Sequence, residues 1–130
     1  MVKTFTFKGK TLDELQNLNL EDFANLLTSK EKRHILRGLS EPERKLLKKI
    51  RKVKLKGKTT IQTHAREMVI IPEMIGLTIN IHNGKTFLPF EITEEMLGKR
   101  LGEFSHTTRL GKHGMAGVGA TRSSLYVPLK

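Results

Sequence analysis

The feature that most constrains this chain is a block of fifteen residues, from Arg44 to Lys58, in which nine side chains are Lys or Arg and none is acidic. Apolar residues recur through the block on one helix face, at Leu46, Leu47, Ile50 and Val53. The pattern predicts an amphipathic basic helix followed by a basic exit strand. A solvated helix face usually mixes both signs of charge, so we favour a polyanion-binding surface, with an ordinary solvated face as the alternative.

The whole chain shares this excess of positive charge. Its 130 residues contain 24 Lys and Arg against 13 Asp and Glu, which gives a net charge of +11 and a pI near 10.1. This length suits one domain, or a small domain with appended segments, and aromatic residues make up only 5%. Composition therefore predicts a small core and a polyphosphate partner.

Several classes of protein are excluded by what the sequence lacks. There is no cysteine, which excludes disulfides, thiol catalysis and Cys-based zinc sites. No apolar run approaches the ~18 residues of a membrane span, and no apolar export signal begins the chain. No two histidines have the i, i+4 spacing of a helical metal pair, and no Gly-Lys pair completes a P-loop. We therefore expect a non-catalytic intracellular protein without metal, cofactor or membrane partner.

Residues 1–58 form the first of three predicted segments, and this segment is helical. Thr11 with Glu14, and Ser40 with Glu43, match the capping box in which a hydroxyl residue and a glutamate three positions later begin a helix. Gly38 is suited to end a helix that begins near position 29. The segment is thus predicted to consist of short helices that lead into the basic helix.

Residues 59–104 form the second segment, a compact β-rich core. Met68–Ile71 is a strand-like run, Leu77–His82 alternates apolar and polar residues, and Lys85–Ile92 returns as its partner. Asn83-Gly84 is the strongest short hairpin signal, because a type I′ turn needs positive φ at both of its central residues. Thr93 is predicted to cap a flanking helix whose first residues are acidic.

A two-residue turn at Asn83 and Gly84 fixes how the two strands would pair. The pairs include Ile79 with Leu88 on one face, and Asn80 with Phe87 and His82 with Lys85 on the other. The first face is predicted to be core. The second offers amide, imidazole, ammonium and phenyl groups for phosphate contact and base or sugar stacking; the equal alternative is a solvent face with Phe87 under the N-terminal helices.

Residues 105–130 form the third segment, an extended basic tail. No carboxylate follows Glu103, and four glycines between positions 111 and 119 oppose regular structure. The tail cannot bury enough apolar surface to order itself, so we expect it to be disordered or ordered by binding.

Four motifs in order resemble the universal small-subunit ribosomal protein nineteen family. They are MIGLT at 74–78, HNGK at 82–85, ITEEMLG at 92–98 and LGEF at 101–104. The resemblance to all branches of the family spans about residues 63–104. The N-terminal helices and the tail from residue 113 to 130 are similar to those of the archaeal and eukaryotic branch.

The resemblance implies a structural protein in the head of the small ribosomal subunit, in the cytoplasm. It would bind small-subunit rRNA beside a protein of the ribosomal protein thirteen family, and its tail would reach toward the decoding site and A-site tRNA. The family fold is a small three-stranded antiparallel sheet with a flanking helix. By position, residues 82–85 match the family's hairpin, Arg66 matches a basic position before the first strand, and Lys99 and Arg100 match basic or histidine positions before LGEF.

The expected fold is therefore α+β: a small three-stranded antiparallel sheet with a flanking helix, preceded by short N-terminal helices and followed by the extended basic tail. A helical DNA-binding regulator is the alternative function, since short helices that lead into a basic helix suit a helix-turn-helix. The residues predicted to contact RNA are Lys48, Lys49, Arg51, Lys52, Lys54, Lys56, Lys58, Arg66, His82, Asn83, Gly84, Lys85, Lys99, Arg100, Arg109, Lys112, His113 and Arg122.

Overall fold

The computed structural model describes residues 3–109, in which helices precede a small sheet. The α-helices are α1 (Leu12–Gln16), α2 (Leu20–Leu26), α3 (Ser29–Leu36) and α4 (Glu41–Leu55). The strands are β1 (Thr60–Thr63), β2 (Thr78–His82) and β3 (Phe87–Glu91), and single 3-10 turns occur at Pro72–Met74, Glu94–Met96 and Leu101–Phe104. This arrangement confirms the predicted α+β class, and the predicted segment boundary after residue 58 lies in the connection between α4 and β1.

Both predicted capping boxes begin helices. The Thr11 N–H donates to the Glu14 carboxylate at 2.9 Å, and the Ser40 N–H donates to the Glu43 carboxylate at 2.7 Å. Gly38, with φ of 97°, follows the end of α3. These helix ends were predictable because a cap satisfies backbone groups within one turn, so its signal lies in a few consecutive residues.

The sheet is mixed, which corrects the prediction that it is antiparallel throughout. Its order is β1-β2-β3; β1 pairs with β2 in parallel, with Thr60 opposite Thr78, and β2 pairs with β3 antiparallel. A parallel pair needs a crossover connection between its strands. Residues 64–77 supply that connection here. Residues 68–71, which were predicted to form a strand, belong to this connection instead.

That predicted strand, Met68–Ile71, is an extended buried segment outside the sheet. Val69 forms an isolated antiparallel bridge with Arg100, and the Ile70 N–H donates to the Lys99 carbonyl at 2.7 Å. The helix predicted after Thr93 is likewise only the 3-10 turn Glu94–Met96. Residues 98–101 form backbone hydrogen bonds with this buried segment. The helix therefore cannot continue through them.

The hairpin forms where it was predicted, but its loop has four residues rather than two. His82 pairs with Phe87 and Ile79 with Phe90, so the predicted pairs of Ile79 with Leu88 and His82 with Lys85 are wrong. Within residues 3–109 only Gly84 of the turn has positive φ, at 99°, whereas a type I′ turn needs it at Asn83 as well. The shift is by two residues, so each side chain keeps its predicted face.

One apolar cluster joins the helices to the sheet. Leu46 and Ile50 of α4 are buried in it with Ile79 and Ile81 of β2 and with residues of α1, α2 and the crossover. The stripe predicted on the basic helix therefore faces the core, which leaves its charged residues outside. Gly98 packs so closely that a Cβ there would lie 2.8 Å from Leu27 Cδ2, and its φ is +78°.

Candidate nucleic-acid interface

The outer side of α4 is a surface of lysines. Every Lys and Arg from position 44 to 58 is exposed, while Leu46, Leu47 and Ile50 of the apolar stripe are buried and Val53 is half-buried. Within the described residues, five of these lysines form no ion pair or side-chain hydrogen bond: Lys48, Lys52, Lys54, Lys56 and Lys58. Their ammonium groups are therefore available to phosphates, and we call this set the α4 lysine face.

Three other basic residues of the same block, Lys45, Lys49 and Arg51, are tied to the protein. Lys45 Nζ lies 2.8 Å from a Glu41 oxygen, and Lys49 Nζ donates to the Gln62 carbonyl at 3.1 Å. Arg51 holds the Glu73 carboxylate through Nε and Nη2 at 3.2 and 3.3 Å. The hydrogen bonds and the charge of Glu73 raise the pKa of the Arg51 guanidinium. Lys49 and Arg51, both predicted to contact RNA, thus also hold α4 to its neighbours.

The hairpin turn is organised by side-chain acceptors. Asn83 Oδ1 accepts the Lys85 and Thr86 N–H groups at 3.0 and 2.8 Å, and His82 Nδ1 accepts the Gly84 N–H at 3.0 Å. Asn83 therefore shapes the loop through its side chain. Lys85, at the tip, is exposed.

This turn and the first residues of the tail line one open cavity of about 320 Å³. Its lining residues are Asn83, Gly84, Lys85, His106, Thr107 and Arg109. They include two cationic side chains and one imidazole, and no carboxylate. The structure thus brings together three predicted elements, the hairpin, Lys85 and Arg109, in an anion-compatible groove.

Arg66 lies inside this part of the fold, and three backbone carbonyls surround its guanidinium. Nη1 donates to the His82 carbonyl at 2.5 Å, and Nη2 donates to the carbonyls of Gly102, at 3.1 Å, and Ser105. The side chain therefore ties the hairpin to the start of the tail. Its predicted contact with RNA stays a prediction, beside this structural role.

We expect Arg66→Lys to lower the free energy of unfolding by about 2 kcal/mol, because a lysine cannot reach three carbonyls with one ammonium group. The charge is unchanged, so the salt dependence of RNA affinity should be the same as in the wild type. Urea denaturation and binding titrations at several salt concentrations measure the two effects. A stable variant with weakened RNA binding would show instead that Arg66 contacts RNA directly.

Arg100 also turns inward, whereas its neighbour Lys99 is exposed. Arg100 Nε lies 3.7 Å from a Glu31 oxygen, and the two side chains are 19% and 10% exposed. The Thr28 hydroxyl donates to the same carboxylate group, and this hydrogen bond, with help from Arg100, holds the pKa of Glu31 below its usual value. Arg100 therefore joins the 98–101 segment to α3, and of the two predicted residues Lys99 is the more accessible to RNA.

His64 is the residue of this surface that the sequence did not indicate. It follows β1, and its ring lies 4.3 Å from the ring of His82 and 5.1 Å from that of Phe87, measured between centroids. Phe87 is half-buried against the rings of His64 and His82 and is not part of the apolar core cluster. The pairing of β1 with β2 brings His64 next to His82, and this pairing was not predicted from the sequence.

Three predicted residues, Lys112, His113 and Arg122, lie outside the described residues. Among residues 3–109, no three His, Asp or Glu side chains come together as a metal site requires. No helix in that part of the chain combines the length and the apolarity that a bilayer span needs.

The chain was compared with models of known protein families. The model described as ribosomal protein S19 matches residues 33–113, which is more than half of the chain. The match begins in α3 and includes the α4 lysine face, the whole sheet and the groove at the hairpin. It favours the rRNA-binding prediction over the helical DNA-binding regulator. The chain therefore belongs to the ribosomal protein S19 family, whose members are structural, rRNA-binding, non-enzymatic constituents of the small ribosomal subunit.

Proposed function

We propose that this protein binds small-subunit rRNA in the head of the subunit, through the α4 lysine face and the groove at the hairpin. The observation that carries the proposal is the α4 lysine face itself, five exposed ammonium groups without a protein partner in the described structure. When these ammonium groups neutralise RNA phosphates, the cations condensed on the RNA are released, and this release favours binding. The groove extends the contact to a second region, where Lys85 and Arg109 lie and where none of the described lining residues is a carboxylate.

The finer elements of this function come from the resemblance of the tail to the archaeal and eukaryotic branch. In this proposal, residues 110–130 extend toward the decoding site and A-site tRNA, and a protein of the ribosomal protein thirteen family is the neighbour in the head. The protein would act in the cytoplasm, in the assembled ribosome. The sequence of the tail supports its part of the proposal, because it carries Lys112, His113 and Arg122 but no carboxylate.

The test is to compare the full chain with a variant ending at Arg109, both incubated with small subunits that lack this protein. We expect both to co-sediment with the subunits at moderate salt, because the α4 lysine face and the groove are present in each. A photocrosslinker placed at Tyr126 of the full chain should react with tRNA only when the A site is occupied.

Failure of the full chain to co-sediment would contradict the placement on the subunit. If the photocrosslinker at Tyr126 instead reacts with rRNA to the same extent whether the A site is empty or occupied, only the placement of the tail is contradicted. Crosslinks from a second photocrosslinker at the exposed Asn25 of α2 would identify the neighbouring protein.

A further inference from the structure

Three aromatic rings meet on the face of the sheet opposite the core. The imidazoles of His64 and His82 have an interplanar angle of 35° at 4.3 Å, and Phe87 meets His82 edge-on at 4.9 Å. His82 and Phe87 are opposite each other in the β2-β3 ladder and are half-buried. His64 is exposed. The cluster therefore presents one ring to the outside, supported by two others.

The supporting ring of His82 is held in place from two directions. Its Nδ1 accepts the Gly84 N–H, which places the ring proton of a neutral imidazole on Nε2, and its backbone carbonyl accepts Arg66. Phe87 packs against its edge. A platform that is already fixed loses little conformational entropy when a ligand stacks on it.

A positive charge lies beside the exposed ring. His64 lines a groove between α4 and β1 together with Lys45 and Lys49, and the cavity there measures about 240 Å³. Lys49 is held at this position by its hydrogen bond to the carbonyl of Gln62, two residues before His64. An aromatic ring beside a backbone-tracking cation is the combination that binds unpaired nucleotides.

The geometry does not suit a metal ion. The two imidazoles contact each other as tilted rings, and no third His or carboxylate joins them among residues 3–109. The groove is also bordered by lysines, which disfavours an apolar peptide as its occupant.

We propose that His64 is the stacking surface for one unpaired base of the bound RNA, with Lys49 beside the phosphates that flank this base. The inference rests on the proposed rRNA-binding function and adds to it the kind of RNA that is recognised, a bulge or loop nucleotide rather than a continuous duplex. Stacking needs no particular base, because every base has a π face.

The experiment uses two RNA hairpins that are identical except at one bulged nucleotide, which carries 2-aminopurine in one and is abasic in the other. The two RNAs have the same charge, so their affinities differ only through the base. We expect the wild-type chain to bind the 2-aminopurine hairpin about tenfold more tightly. Binding should also change the fluorescence of the 2-aminopurine, because its stacking environment changes.

Two variants separate stacking from other effects. His64→Ala should reduce the tenfold preference to about one and leave the affinity for the abasic hairpin unchanged. His64→Phe should keep the preference, since it keeps an aromatic face. Thermal unfolding of both variants should match the wild type, because the side chain is exposed and makes no hydrogen bond within the described residues.

The proposal is overturned if the wild type binds both hairpins equally, or if His64→Ala keeps the preference. In either case salt-dependent binding of both RNAs would leave the proposed function intact. Loss of all salt-dependent RNA binding in the wild type would overturn the two together.

Discussion

Glu43→Ala should lower the free energy of unfolding by about 3 kcal/mol, a large part of the total for a domain of this size. The Glu43 side chain is 1% exposed, and its carboxylate accepts the Ser40 N–H and hydroxyl and lies 2.6 Å from His34 Nε2. One carboxylate thus begins α4 and joins it to α3. Removing it leaves the half-buried His34 imidazole and the Ser40 N–H without their acceptor.

The chain contains a matched control for this prediction. Glu14 occupies the same position in the capping box of α1, but it is exposed and has no histidine partner. Glu14→Ala therefore removes a cap and nothing else, and we expect a much smaller loss in urea denaturation. Equal losses in the two variants would show that the contact between His34 and Glu43 contributes nothing to stability.

The Glu43 carboxylate should also make the free energy of unfolding depend on pH in the acid range. Burial acts to raise the pKa of Glu43, but the hydrogen bonds from Ser40 and His34 together outweigh it, so the pKa is lower than usual. A carboxyl with a lowered pKa in the folded state stabilises the protein above its unfolded pKa, near 4.3, and loses this contribution as the pH falls through the folded value. The stability difference between wild type and Glu43→Gln should therefore be constant above about pH 5 and shrink toward pH 3.

The four N-terminal helices and the position of the hairpin could be predicted because their signals are local. The capping boxes lie within four residues, and the apolar stripe of α4 repeats within two turns, so the basic surface of this helix followed from its sequence. Asn83-Gly84 likewise marked the hairpin. The loop length was wrong, and with it the turn type and the strand pairs, because the side chain of Asn83 accepts the Lys85 and Thr86 N–H groups in a longer turn.

The rest depends on contacts between distant residues. The sequences of β1 and β2 do not show that these strands pair in parallel. Neither the mixed sheet nor the contact between the rings of His64 and His82 could therefore be predicted. Arg66 and Arg100 have the charge of RNA-contacting residues, yet their guanidinium groups face carbonyls and Glu31. Charge in a sequence indicates a surface only when packing leaves the side chain outside, and the sequence alone does not show which arginines pack inward.

The largest effect on binding should come from the α4 lysine face. Lys48, Lys52 and Lys56 lie one helical turn apart, and in the described structure none has a protein partner. Affinity falls as salt rises, so a plot of log affinity against log salt has a negative slope. If each of the three lysines contacts a phosphate, the triple alanine variant should make this slope less steep by about 2 to 3. At 0.1 M salt the affinity for a transcript of the small-subunit rRNA head should fall by about 100-fold or more.

A second triple variant separates local contact from bulk charge. Lys3, Lys8 and Lys30 are also exposed, so replacing them with alanine lowers the net charge of +11 by the same three units. Neither variant should unfold, because all six lysines are exposed and contribute little packing, and alanine is at least as favourable at the helical positions 30, 48 and 52. If bulk charge governed affinity, both variants would weaken binding equally. A loss confined to the first would assign the affinity to phosphates held against α4, since screening in salt removes attraction from charges farther than about 10 Å from the RNA.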